Sequence, residues 1–309
     1  MSSAKRLIQQ GRFIFWLWNH PLTQHGRAKT IIRFIKWQIG SRILKREVVL
    51  PFVDNKVLLV SNGMTGATGN YYCGLHEHKE MAFVLHSLRI GDLFVDVGAN
   101  VGSYTILASH TGANVISIEP IPFTFNQLRK TIAVNLLTNT HVVAHCIGLA
   151  DQEGELVFTA DLDTTNHVVP KDLSEKDKDI PTQTITVPVI TLDTLLKDQA
   201  ATMIKIDVEG FEGLVLKGAE SALKSDKLIA VILEMNGNNN RYGLEDQDIL
   251  DLMAKNGFFP FSYDPFTRDF QNAHIGEGNT IFCKLTHKQA ILERVAAAPK
   301  FCLANGTSI

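Results

Sequence analysis

The strongest constraint on the fold is a short apolar segment that ends in an acidic residue and a glycine-containing turn. Residues 93–97, Leu-Phe-Val-Asp-Val, have the β-branched and aromatic composition of a buried central strand. Gly98 and Gly102 then let the backbone turn sharply, and residues 104–108 favour a helix that packs back on the sheet. A strand, a glycine turn and a helix N-terminus together predict a pocket for a nucleoside-bearing ligand at the carboxyl edge of the sheet.

The residues of this turn discriminate between nucleoside ligands. A dinucleotide fingerprint requires Gly-x-Gly-x-x-Gly, but Asn100 stands where the second glycine would be. Asp96 adds negative charge near the place of a pyrophosphate, which suits the ammonium and sulfonium groups of S-adenosylmethionine. The next predicted strand ends in Glu119-Pro120, and a carboxylate there can accept hydrogen bonds from both ribose hydroxyls. A strand and turn without a cofactor is the alternative interpretation. The predicted cofactor-binding residues are Asp96, Gly98, Asn100, Gly102, Glu119 and Pro120.

Further acidic residues follow two later strands. Asp207 and Glu209 come after one strand, while Glu234 and Asn236 come at the end of the next. Because the carboxyl ends of parallel strands share one edge, we expect these groups where a methyl acceptor approaches. We predict that Asp207, Glu209 and Glu234 are catalytic, with Asp207 or Glu209 as the base for a hydroxyl acceptor. They could instead hold a divalent cation, although no metal ligand is assigned, or serve only as helix caps and partners of Lys205.

Two motifs limit the possible methyl acceptors and the possible metal ligands. Amino-group methylation of a planar base typically uses an Asn/Asp-Pro-Pro-aromatic turn, whereas this chain has Asp-Val-Glu-Gly at 207–210. This difference favours an oxygen acceptor over a nucleic-acid amine. His76-Glu77-His78 is not expected to bind a metal, because adjacent residues of one element point in different directions.

The positive charge is concentrated at the N-terminus. Ten of the 30 Lys and Arg residues lie in residues 1–46, whereas all 32 Asp and Glu residues come later. The apolar run at residues 13–18 is too short to span a bilayer. A secretory signal is not expected, because no small-residue cleavage site follows this run. No aromatic-and-basic motif points to nucleic acid, which we therefore do not expect as a partner.

One face of a predicted helix in this basic segment is apolar. Its members are Ala28, Ile32, Ile35, Ile39 and Ile43. We expect the N-terminal helices to dock on the catalytic domain through such a face. The alternative is peripheral contact with a membrane, in which Trp16, Trp18 and Trp37 lie at the depth of the lipid headgroups.

The chain divides into four predicted segments. They are a basic helical extension (1–47), a lead-in of strands, a glycine-rich loop and a helix (48–90), a cofactor-binding domain (91–288) and a tail with frayed ends (289–309). Alternating strands and helices predict a doubly wound α/β fold with a mostly parallel seven-stranded sheet and an antiparallel edge strand. The polar stretch 161–182 is either a lid or disordered. Four cysteines without Cys-x-x-Cys spacing favour the cytoplasm.

The chain resembles the FkbM-type methyltransferases. The similar segments are 96–102, 128–135 and Ile-Lys-Ile-Asp-Val-Glu-Gly-Phe-Glu at 204–212, and the resemblance covers about residues 70–285. It implies a class I (Rossmann-like) methyltransferase that uses S-adenosylmethionine to methylate a hydroxyl of a sugar, glycolipid or polyketide-like acceptor. It also implies that the turn residues and Glu119 bind the cofactor. The rival interpretations are a nicotinamide-dependent oxidoreductase and a non-enzymatic membrane-surface module on the same fold.

Overall fold

The computed structural model describes residues 3–44, 46–61, 63–137, 141–160, 166–170, 183–273 and 278–309. Within these ranges the α-helices are α1 (Ser3–Asn19), α2 (Arg27–Leu44), α3 (Thr65–Cys73), α4 (His78–Ser87), α5 (Ser103–His110), α6 (Pro122–Val134), α7 (Leu192–Leu196), α8 (Glu212–Lys217), α9 (Glu220–Lys224), α10 (Asp246–Lys255) and α11 (Lys288–Ala296). The strands are β1 (Val48–Pro51), β2 (Val57–Val60), β3 (Leu93–Val97), β4 (Asn114–Ile118), β5 (Val142–His145), β6 (Gly148–Leu149), β7 (Gly154–Thr159), β8 (Thr184–Ile190), β9 (Met203–Ile206), β10 (Ala230–Met235), β11 (Phe258–Tyr263), β12 (Phe270–Asn272) and β13 (Gly278–Lys284).

The central sheet has eight strands in the order β12-β11-β13-β10-β9-β3-β4-β5. Strands β10, β9, β3, β4 and β5 are parallel, whereas β13 runs antiparallel between β10 and β11. The doubly wound, mostly parallel sheet is therefore confirmed. It has one strand more than predicted, because a turn after Asp264 returns the chain as the antiparallel edge strand β12. The Asp264 carboxylate stabilises this turn by accepting the backbone N–H of Phe266 at 2.8 Å.

Both faces of the sheet are covered, as its apolar central strands require. Every residue of β3 and β9 is buried. Phe94 of β3 belongs to the hydrophobic core on one face, whereas Val95 and Val97 belong to the core on the other face. Asp96 alternates in the same way, so its side chain lies on the face of Phe94, where α5 packs. Strands β6, β8 and β7 form a separate three-stranded sheet.

The prediction of a glycine-rich loop in the lead-in segment is partly wrong, because residues 65–73 form α3. Glycine has a low helix propensity, but Tyr72 of this helix is buried and its ring contacts those of Phe13 and Phe34. A Cβ on Gly69 would overlap the ring of His76, so this glycine allows the next segment to pack on the helix. Tertiary packing therefore decides the conformation of this stretch.

The N-terminal helices dock on the body of the protein, but through the face opposite to the one predicted. Phe34 and Trp37 of α2 are buried. Arg33 donates hydrogen bonds to the backbone carbonyls of Tyr71 and Tyr72. The four isoleucines expected to be buried are instead exposed by 51%, 49%, 57% and 74%, in the order Ile32, Ile35, Ile39, Ile43. Phe34 and Trp37 pack against the rings of α1 and α3 and the rest of the core, and the isoleucine face lies on the opposite, exposed side of the helix.

The C-terminal residues also pack against the body, so the expectation of frayed ends is wrong. Leu303 forms a β-bridge with Val53, and the final residue, Ile309, is buried. Of the polar stretch 161–182, for which the sequence left a lid and disorder open, residues 161–165 and 171–182 lie outside the described residues, while Val168 pairs with Phe158. Among the described helices, none combines the length and apolar character needed to cross a bilayer.

Candidate active site

A cleft of about 330 Å³ opens at the carboxyl ends of β3, β4, β9 and β10. The predicted site residues in its wall are Asp96, Gly98, Asn100, Glu119, Pro120, Asp207, Glu209 and Glu234. Gly102 is not part of the wall. It precedes α5 with a φ of 97°, and a Cβ there would overlap the side chain of Leu128, so this glycine serves the path of the backbone instead.

The glycine turn brings the ends of two strands into contact. Gly98 has a φ of +77°, and a Cβ there would overlap the carbonyl oxygen of Asp207. Asn100 also adopts a left-handed conformation, with a φ of 50°. Only a residue without a side chain lets the backbone after β3 approach the backbone after β9 this closely, which explains the glycine in chemical terms.

Glu119 fixes the other side of the turn. Its Oε2 accepts the backbone N–H of Asn100 at 3.0 Å, and its Oε1 accepts that of Ile121 at 3.0 Å. Burial raises the pKa of Glu119 to about 7, although both backbone hydrogen bonds act in the opposite direction. Each carboxylate oxygen can accept two hydrogen bonds, so one position on each oxygen is left for the hydroxyls of a ligand.

Asp96 presents an unsatisfied oxygen to the same region. The side chain is buried, and its Oδ2 accepts a hydrogen bond from the Thr105 hydroxyl at 2.6 Å. Its Oδ1 is also buried, and it has no hydrogen-bond partner among the described residues. Burial raises the pKa of Asp96, and the positive charge of Lys205 opposes this. A buried acceptor without a donor is costly, so this oxygen fits a donor supplied by a ligand.

Lys205 joins the two sides of the cleft. Its Nζ lies 2.8 Å from Asp207 Oδ2 and 4.7 Å from the centre of the Tyr104 ring. Burial disfavours its charge, but Asp207 and Asp96 outweigh that effect and raise the pKa of Lys205. Tyr104 in turn donates a hydrogen bond to Glu77 at 2.6 Å. The structural alternative for Asp207, pairing with Lys205, is thus realised inside the cleft.

Three carboxylates, which we call the acidic trio, converge on the wall beyond Lys205. Asp207, Glu209 and Glu234 each place one carboxylate oxygen within 4.8 Å of the others. Burial and the charge of Asp207 raise the pKa of Glu209 to about 7 and that of Glu234 to about 9. Asn236 does not join the acidic trio, because its side-chain oxygen accepts the backbone N–H of Asn238 at 3.0 Å.

Glu212 shapes the turn that carries Glu209, a role that the sequence did not reveal. Its Oε1 accepts the backbone N–H groups of Val208 and Gly210 at 3.0 and 3.1 Å, and its Oε2 accepts Nδ2 of Asn239 at 3.0 Å. Glu209 sits in this turn with a φ of +57°, an unfavourable conformation for a side chain that is not glycine. An acidic residue in the first turn of a helix was the available signal.

The lead-in segment supplies the opposite wall of the cleft, where His76 and Glu77 lie. Burial lowers the pKa of His76, and its backbone N–H donates to Asn70 Oδ1 at 2.7 Å. Adjacent residues do both face the cleft here, because they lie in the turn between α3 and α4 rather than in one regular element. The sequence did not predict this wall.

Fold and cleft together define a Rossmann-like α/β protein of the class I methyltransferase type. The model of the methyltransferase FkbM domain matches residues 96–260, more than half of the chain. The chain therefore belongs to the FkbM methyltransferase family, and its resemblance to that family is confirmed. Methyltransferase activity with S-adenosylmethionine as the cofactor follows from this membership.

Relatives of known name extend the comparison. The chain is 28% identical over 184 residues to the hexuronic acid methyltransferase AglP of Haloferax volcanii, which covers 58% of this chain and 68% of that protein. Among solved structures, the methyltransferase FkbM of Methylobacillus flagellatus KT is 22% identical with a TM-score of 0.41, over 63% of this chain and 44% of that one. SMU.1697c of Streptococcus mutans, a methyltransferase-like protein in complex with SAH, is 10% identical with a TM-score of 0.39. The match covers 67% of this chain and 96% of that one.

Proposed function

We propose that the protein transfers a methyl group from S-adenosylmethionine to a hydroxyl group of a sugar, glycolipid or polyketide-like acceptor. The observation that carries this proposal is the acidic trio beside the cofactor side of the cleft. Methyl transfer is an in-line displacement at carbon, so an enzyme must align the acceptor and remove the hydroxyl proton. The similarity to a hexuronic acid methyltransferase supports a sugar acceptor.

The proposed cofactor contacts follow from the hydrogen bonds that the cleft leaves open. Glu119 would accept the two ribose hydroxyls on its remaining positions. Asp96 Oδ1, which has no partner among the described residues, would accept the ammonium group. Gly98, Asn100 and Pro120 line the same cleft.

Within the acidic trio we assign the role of proton acceptor to Glu209. Its pKa of about 7 suits a base that works near neutral pH. Asp207 is engaged by Lys205, which stabilises its negative charge. Glu234, with a pKa of about 9, is protonated at neutral pH and can donate a hydrogen bond to the acceptor. The different surroundings of the three carboxylates therefore give each of them a different proposed role.

A divalent cation is a second candidate, favoured by the spacing of the acidic trio. Three carboxylate oxygens within 4.8 Å of one another fit the oxygen ligands of Mg²⁺. Glu234 Oε2 is buried and has no hydrogen-bond partner among the described residues, which also fits a ligand atom. A cation held there would lower the pKa of an acceptor hydroxyl.

The experiment is incubation of the protein with methyl-labelled S-adenosylmethionine and glycans that end in a hexuronic acid. We expect a labelled methyl ether, which resists mild alkali. A labelled product that is released by alkali would be a methyl ester and would contradict transfer to a hydroxyl. Addition of a chelator separates the two candidates, because only the cation mechanism loses activity. Binding of NAD(H) in place of S-adenosylmethionine would favour the oxidoreductase instead.

The proposed setting is the cytoplasm, which fits the four free thiols. An acceptor attached to a lipid carrier would bring the basic N-terminal helices to a membrane surface, and nucleic acid is not proposed as a partner. The location would be tested by cell fractionation.

A further inference from the structure

The N-terminal helices carry an apolar surface that nothing in the described part of the chain covers. We call Ile32, Ile35, Ile39 and Ile43 of α2 the isoleucine stripe; all four are exposed. Their spacing of three and four residues places them on one helical face for about 16 Å. On the neighbouring helix α1, Phe15 and Trp18 are exposed as well. Scattered apolar residues are ordinary on a protein surface, but a continuous stripe marks an interaction site.

Positive charges border the isoleucine stripe. Lys29 and Lys36 lie along one flank of the helix and Arg42 along the other, and all three are exposed. No acidic residue occurs in residues 1–46. An exposed apolar face with cationic flanks is the arrangement of helices that lie in the interface of an anionic bilayer.

From these observations we propose that the isoleucine stripe is a membrane-binding surface for anionic phospholipid. In this arrangement α2 lies parallel to the bilayer, its isoleucines enter the headgroup–acyl boundary, and its cations meet lipid phosphates. The aromatic face of α2 remains packed on the body of the protein through Phe34 and Trp37. The bound and free forms therefore need no rearrangement of the helix.

A second copy of the chain fits the surface less well. Pairing two isoleucine stripes would place the lysines and arginine of one copy against those of the other, without an acidic residue of 1–46 to compensate. Like charges in contact oppose such an interface. The headgroups of anionic phospholipids instead carry the opposite charge, so the charge pattern favours an anionic membrane.

The two N-terminal helices contact the segment that lines the cleft. Trp16 of α1 contacts the ring of His76, with 4.8 Å between ring centroids, and His76 lines the cleft. Arg33 of α2 holds the backbone of α3, whose first residues also line the cleft. Helices α1 and α2 therefore contact the segment that forms the lead-in wall of the cleft. The membrane contact itself does not depend on the proposed acceptor.

The test is cosedimentation of the full-length protein with vesicles of phosphatidylcholine alone or of phosphatidylcholine with phosphatidylglycerol. We expect binding to the anionic vesicles only, weakened by salt. The double variant Ile35→Ser/Ile39→Ser should lower the partition coefficient by about tenfold or more. A matched control is Ile90→Ser/Val143→Ser, which removes two exposed apolar residues of the body and should bind like the wild type.

Other outcomes overturn the proposal. Absence of vesicle binding by the wild type, or unchanged binding by the stripe variant, would exclude the stripe as a lipid surface. A stripe variant that changes the oligomeric state in light scattering but not the lipid binding would identify a second copy as the occupant. Calorimetric binding of S-adenosylmethionine by the variant checks its fold, and normal cofactor binding without lipid binding separates this proposal from the proposed function.

Discussion

The two sides of the cleft hold their carboxylates in different ways. On the side proposed to bind the cofactor, which we call the cofactor side, Glu119 accepts hydrogen bonds from backbone N–H groups on both oxygens, and Asp96 accepts one from a threonine hydroxyl. On the side proposed to receive the acceptor, which we call the acceptor side, the members of the acidic trio face one another, and Lys205 forms an ion pair with one of them, Asp207. Hydrogen-bond donors thus hold the carboxylates in place on the cofactor side, whereas the carboxylates on the acceptor side repel one another.

The pKa values express this difference. Burial raises the pKa of Glu119 to about 7, and its backbone hydrogen bonds limit the increase. Burial raises the pKa of Glu234 to about 9, and the neighbouring carboxylates add to the increase. The cofactor side is therefore prepared for neutral hydroxyl donors, whereas the acceptor side requires a proton or a cation to relieve its repulsion.

The largest expected effect concerns the acceptor side. Glu209→Gln keeps the shape of the side chain but removes its basicity, so we expect turnover to fall by about a thousandfold. Affinity for S-adenosylmethionine should change by less than about twofold, since only the acceptor side is altered. In the wild type, turnover should rise with pH through about 7, because the base must be deprotonated.

Steady-state kinetics and calorimetry on the same preparations measure both quantities. Glu220→Gln, which changes an exposed glutamate far from the cleft, is the control. Wild-type turnover in Glu209→Gln would remove Glu209 as the base. If Glu209→Gln lowered the affinity for S-adenosylmethionine as strongly as it lowered turnover, the cofactor side and the acceptor side would not act independently.

The next effect concerns the cofactor side. Glu119→Gln replaces one oxygen by an amide nitrogen, which cannot accept the bonds that the carboxylate accepts from the backbone and the ribose. We expect the Kd for S-adenosylmethionine to rise by about a hundredfold, with turnover at saturating cofactor largely preserved. Isothermal titration calorimetry tests this, and unchanged affinity would place Glu119 outside the cofactor site.

The smallest effect is a dependence of stability on pH in the protein without ligand. Because the pKa of Glu209 and Glu234 is raised in the folded state, their contribution to stability is complete below about pH 4.5 and is lost as the pH rises through about 7 and 9. The two pKa values alone would give a decrease of about 5 kcal/mol in the free energy of unfolding between about pH 6 and pH 9. Both carboxyl groups are partly exposed to solvent, which screens their charges, so we expect a decrease of about 2 kcal/mol.

Urea unfolding at several pH values measures this decrease. The double variant Glu209→Gln/Glu234→Gln should lose most of it, whereas Glu220→Gln should keep it. If Mg²⁺ restores the stability of the wild type at high pH but not that of the double variant, the acidic trio binds the cation. A wild-type stability that increases over this range would contradict the repulsion between the three carboxylates.

Much of the fold was predictable because its signals are local. The apolar strand at residues 93–97, the helix after the glycine turn and the order of alternating elements follow from side-chain patterns within short segments. The strand-end rule also predicted correctly that Asp96, Glu119 and the acidic trio would share one cleft. These predictions needed only the parallel direction of the strands.

Other parts of the site depend on residues that are distant in sequence. The role of Glu212 is visible only in the tertiary structure, where its carboxylate contacts both the turn that carries Glu209 and the side chain of Asn239. The wall formed by His76 and Glu77 depends on α3, whose helical conformation is decided by contacts between Tyr72 and the N-terminal aromatic residues. Local patterns carry no information about such partners.

Helix α2 shows most clearly where the sequence and the tertiary structure divide. Its sequence alone predicted a helix with one apolar face, the isoleucine face, in a basic segment of the chain. Which face is buried was decided only in the tertiary structure, because Phe34 and Trp37 meet a complementary surface and the isoleucine stripe does not. Burial is a property of two surfaces in contact, and a helix contains only one of them.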